Sequence, residues 1–115
     1  MAAPPPLNGK AFDGRIMTQK SNWPFDQPMD AAAVVDLDVM EGRVPVLLVV
    51  HYSEDESWAF LSGGAFDPER SLIVGMSEVV DRDPSLKMVA DLPPGWTAVR
   101  ARVGEPWVRE QDPEV

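Results

Sequence analysis

Val46-Leu47-Leu48-Val49-Val50-His51-Tyr52, then Ser53-Glu54-Asp55-Glu56, then Ser57-Trp58-Ala59-Phe60-Leu61: two apolar runs around a polar tetrapeptide decide how this chain folds. The first run is β-branched and apolar on both faces, the pattern of a central strand, and Pro45 is tolerated at its start. The second run resumes as a strand, so the acidic tetrapeptide becomes a hairpin connection. Ser62-Gly63-Gly64 ends it. Trp58 and Phe60 share one face of this strand, Ala59 and Leu61 the other, and core packing is expected of at least one of the two.

Outward from the hairpin the pattern repeats. Ala32–Met40 reads as a strand, because Val35, Leu37 and Val39 alternate with Asp36 and Asp38, and Glu41-Gly42-Arg43 supplies a turn. Leu72–Met76 is a further apolar segment compatible with either strand or helix. Asp83 suits a helix N-cap, Pro84 the first helical position, and Leu86, Val89 and Ala90 fall on one side. Pro93-Pro94-Gly95 must end that helix. Trp96–Val103 alternates again, with Trp96, Ala98, Arg100 and Arg102 on one face, and Trp107-Val108-Arg109 closes the series. Hairpin-linked strands with few helical segments predict an α+β fold: a single domain with a mainly antiparallel sheet and one or two short helices.

The 115 residues fit one domain. Residues 1–22 carry Lys10, Arg15 and Lys20 against Asp13 and have no sustained apolar period, so they read as an N-terminal arm. Residues 23–109 form the expected body, and 110–115 an acidic tail. With 10 basic and 19 acidic side chains the net charge is −9, and 14 of the acids lie between residues 26 and 91. Such a balance argues against nucleic acid and anionic membranes as partners. No cysteine is present, which excludes a disulfide scaffold, a zinc ribbon and a thiol nucleophile. No apolar run approaches the roughly 20 residues of a membrane span, and the start lacks a secretory pattern, so a cytoplasmic protein is expected.

Phe25-Asp26-Gln27-Pro28, His51 with its acidic turn and Trp58-Ala59-Phe60-Leu61-Ser62-Gly63, Asp83-Pro84-Ser85-Leu86, Asp91-Leu92-Pro93-Pro94-Gly95-Trp96 and Gly104-Glu105-Pro106-Trp107 follow one another in that order. The set resembles a bacterial domain-of-unknown-function family, and is more distantly similar to immunity proteins of polymorphic-toxin systems. The resemblance covers about residues 25–109 and leaves out the Pro-rich start. It implies an α+β fold and no established activity, so no catalytic residues are carried over from it; no cofactor is expected.

His51 is the one histidine, and Glu54, Asp55 and Glu56 follow it closely. A turn returning a carboxylate to the strand end would make His51 a metal ligand or general base; a plain strand-end histidine is the alternative. No Gly-x-Ser-x-Gly marks a nucleophile elbow, and no Gly-Lys-Ser/Thr follows Gly63-Gly64. Asp36/Asp38 and Asp81/Asp83 are carboxylate pairs of the kind an acid-rich chain produces by chance. Trp96, Arg100 and Arg102 could form a recognition surface, or the arginines could pair with Asp36, Asp38 or other acids on neighbouring strands. Three readings follow. The first is a non-enzymatic acidic module, immunity-like, in which Glu54, Asp55 and Glu56 steer a basic toxin or nuclease. The second is a small metal-binding protein or enzyme centred on His51. The third is a structural homo-oligomer, a homodimer for instance, joined through an unpaired sheet edge.

Overall fold

A computed structural model describes residues 23–115; the arm read at 1–22 lies outside the described residues. The strands are β1 (Ala32–Asp36), β2 (Leu48–His51), β3 (Trp58–Leu61), β4 (Ser71–Gly75), β5 (Trp96–Val99) and β6 (Val108–Gln111). The helices are α1 (Leu37–Met40) and α2 (Met76–Arg82), with 3-10 turns at Pro68–Arg70 and Pro84–Val89. The six strands form one sheet in the order β4-β1-β3-β2-β5-β6. The β1–β3 pair is parallel and the other four are antiparallel, so the fold is α+β with a mainly antiparallel sheet.

The two apolar runs form the β2–β3 hairpin at the centre of this sheet, with His51 opposite Trp58 and Leu48 opposite Leu61. Both faces of β3 are buried. Trp58 and Phe60 turn to the helix side and meet Val35, Val49, Met76, Val79 and Leu86. Ala59 and Leu61 turn to the other side, where they pack with Val50, Leu48, Val34 and Val115. Trp23-Pro24-Phe25 closes one end of the helix-side core, Phe25 meeting Trp58 edge-on at 5.1 Å.

Several boundaries differ from the sequence reading. The strand expected over Ala32–Met40 stops at Asp36, where α1 swings Val39 back over the core. Asp36 and Asp38 are therefore not paired on a wet strand face. Asp36 accepts from the Ser62 N–H (2.7 Å), whereas Asp38 takes Arg43 (3.0 Å) and Arg70 (2.6 Å). The undecided segment at Leu72–Met76 is strand β4, whose last residue Gly75 lies against the Asp30 backbone, and Met76 opens α2. The helix read from Asp83 is a 3-10 turn, capped as expected by Asp83 accepting from the Ser85 N–H. Strand β5 ends at Val99 rather than Val103, because Arg100 dives into the core. The tail expected at 110–115 instead contributes Glu110 and Gln111 to β6, and the Asp112 N–H donates to the Gly95 carbonyl (2.9 Å). Among the described residues no helix is long and apolar enough to cross a membrane.

Candidate functional site

One end of the sheet gathers carboxylates from four parts of the chain. The β2–β3 connection brings Glu54, Asp55 and Glu56. Because β5 starts opposite His51, the preceding loop brings Asp91 to the same end, and β6 delivers Asp112 and Glu114 there. Asp26 lines the shallow cleft beneath, about 210 Å³, with Gln27, His51, Glu56 and Asp91. Arg109 pairs with Asp91 at 2.7 Å and so neutralises one member of the set.

The acidic connection is held rigidly. Asp55 Oδ1 accepts from both the N–H (3.0 Å) and the hydroxyl (2.7 Å) of Ser57, an Asx turn. The Ser57 hydroxyl, followed by its N–H, keeps the Asp55 carboxyl below the usual carboxylate range. Glu56 adopts a left-handed backbone, φ +60°, uncommon for a residue with a side chain. Its carbonyl accepts from Gln27 Nε2 (3.0 Å) and lies 3.2 Å from His51 Nε2. Gln27 itself takes the Trp58 indole N–H on Oε1 (2.8 Å), and its main-chain carbonyl takes that of Trp23 (2.7 Å). On the other flank the Ser53 hydroxyl donates to the Val115 carbonyl (2.7 Å). Gly95, at φ +86°, lets the loop pass beside Ser53. Glu56→Gly removes the left-handed cost of about 1–2 kcal/mol and adds some unfolded-state entropy. Urea unfolding is expected to show a net gain of up to about 1 kcal/mol, whereas Glu56→Ala leaves stability unchanged.

His51 is 5% exposed, at the end of β2 and stacked on Trp58 with ring centroids 4.0 Å apart. Its Nδ1 lies 2.7 Å from the Leu92 carbonyl, and its Nε2 faces the Glu56 carbonyl. Both nitrogens thus face main-chain oxygens, and the neutral ring, with one N–H, donates to one of the two according to its tautomer. Among the described residues no group of three or more His, Cys, Asp or Glu side chains is placed to hold a metal ion. The histidine braces the acidic connection against the Leu92 loop.

Trp96, Arg100 and Arg102 do not form a common surface. Arg100 is 3% exposed. Its Nε and Nη2 donate to the Val46 carbonyl (3.0 and 2.9 Å), Nη1 to the Ser85 hydroxyl (2.9 Å), and Nη2 to Asp83 (2.6 Å). The Trp107 ring covers the guanidinium at 4.3 Å. Arg102 lies beyond the strand, exposed, with Glu105 at 3.7 Å. The partner of Arg100 is neither Asp36 nor Asp38, because β1 and β5 are separated by β3 and β2. Gln27 and Asp91 belong to the acidic end and are marked in sequence only by the quoted motifs that contain them; Asp112 carries no local signal. No family model, curated protein or solved structure matches this chain.

Proposed function

We propose that this protein is a non-enzymatic binding module that presents a pre-set acidic end to a basic protein. The observation that carries the reading is the convergence of Glu54, Asp55, Glu56, Asp112 and Glu114, beside the Arg109-paired Asp91, around a connection held by Asp55 and Gln27 and packed against His51. A fixed set of like charges raises the rate of encounter with an oppositely charged partner, and a rigid loop loses little entropy when it docks. The burial of His51 with both ring nitrogens facing main-chain carbonyls rather than a carboxylate favours this reading over one centred on histidine chemistry. The finer form of the proposal is a neutraliser of a basic toxin or nuclease working in the cytoplasm, supported by the family resemblance and the net charge of −9.

The test compares the immobilised protein with its Glu54→Lys/Glu56→Lys variant as baits at low salt. A strongly basic protein held by the first, lost from the second and released by salt supports the reading. Equal retention by both, or retention indifferent to salt, overturns it. Inhibition of the captured protein's toxic or nucleolytic activity tests the finer form.

A further inference from the structure

We propose that two copies of this chain pair through β4, antiparallel, about a two-fold axis at Ile73. Among the described residues strand β4 bonds only β1 and forms one edge of the sheet. The Met76 N–H donates to the Ala31 carbonyl at 2.9 Å. Alternation along that ladder turns the main chain of Leu72 and Val74 toward β1, and the N–H and C=O of Ile73 outward. The side chains are as unfinished as the backbone. Ile73 sits beside Val34 on the sheet face away from the helices and is 68% exposed. Leu72 points to the helix side, yet is 38% exposed because the core ends there.

Sheet edges are ordinarily protected by charge, proline or a bulge. Residues 71–76, Ser-Leu-Ile-Val-Gly-Met, have no charge and no proline, and their register with β1 is continuous. The opposite edge, β6, carries Arg109 and Glu110.

Self-complementarity identifies the occupant as a second copy. Reading β4 against itself about Ile73 sets Ile73 opposite Ile73, Leu72 opposite Val74 and Ser71 opposite Gly75. Apolar then meets apolar and small meets small, as an isologous contact requires. Leu72 gains the cover it lacks, and two chains of net charge −9 meet along a strand free of carboxylates. The Gly75 N–H is already taken by Glu78 (3.1 Å), so the new ladder rests on the Ile73 pair and on the Ser71 N–H reaching the Gly75 carbonyl.

Sedimentation of the full chain from micromolar to millimolar concentration tests the proposal. A reversible dimer is expected, together with a monomer for Ile73→Lys whose circular dichroism is unchanged. The absence of cysteine permits a register test. Directly opposed, hydrogen-bonded residues lie about 5.5 Å apart at Cα, within disulfide reach. Ile73→Cys is therefore expected to oxidise to a covalent dimer, and Val108→Cys, equally exposed on β6, to stay monomeric. A wild type monomeric throughout, an Ile73→Lys variant that dimerises normally, or equal cross-linking of both cysteine variants overturns the proposal.

Discussion

Replacing Asp83 by alanine is expected to cost the domain about 3–5 kcal/mol, the largest loss among its charged side chains. The reason is the guanidinium left behind. Arg100 is buried between the Val46 carbonyl, Ser85 and Trp107, and among the described residues Asp83 is its one carboxylate partner. Removing the anion strands a cation that has little water to turn to. Arg100→Lys keeps the charge but not the fork that reaches Val46, Ser85 and Asp83 together, and is expected to destabilise by about 1–3 kcal/mol through the unmet partners. The double variant Asp83→Leu/Arg100→Met is expected to lose less than the sum of its single changes, because neither partner is stranded. Urea denaturation of the single and double variants measures all of these.

The same pair predicts a pH dependence. Burial alone would raise the Asp83 carboxyl, but hydrogen bonds from Ser85 and Arg100, with the charge of Arg100, outweigh it and hold the group below the usual carboxylate range. A carboxyl lower in the folded than in the unfolded state stabilises above its unfolded value of about 3.9. That contribution is lost as pH falls through the folded value. The stability gap between wild type and Asp83→Asn should accordingly be flat near neutrality and narrow in acid below about pH 4.

Charge reversal at the acidic end is the second large effect. Glu54→Lys/Glu56→Lys changes the local charge by four units while retaining the Asx turn at Asp55 and the main-chain bonds to Gln27 and His51. Folding is expected to survive. Association with a basic partner is expected to slow by a factor of roughly 10–1,000 at low salt, with a much smaller difference at high salt, where the Debye length shrinks. Stopped-flow association across a salt series separates the two. An unchanged rate and salt slope would remove the electrostatic role assigned to this end.

The hairpin was legible because its signal is local: two β-branched and aromatic runs flanking a polar turn leave few alternatives. The Asp83 cap was legible for the same reason. Helix α2 was not, since Met76–Arg82 is short and its Val79-Val80 pair favours strand; burial against Val35 and Val39 makes it helical. Alternation correctly put Trp96, Ala98 and Arg100 on one face, but could not say that this face is the inner one. A charged side chain argues for the outside unless its partner is known, and Asp83 comes from another part of the chain. Of the acidic end, only the three carboxylates between β2 and β3 could be read in sequence. Asp91, Asp112 and Glu114 join them through strand pairing.

The parallel β1–β3 pair has a consequence for the order in which the chain assembles. No tight turn can create it: β1 must wait until β2 and β3 have formed, then slot in beside β3. Pairing of β1 with β4 closes a still longer loop. The central hairpin is therefore the expected nucleus, with β1 and β4 docking on the downhill side of the barrier. Val50→Ala should mainly slow refolding, and Val74→Ala should mainly hasten unfolding, in denaturant-jump chevrons.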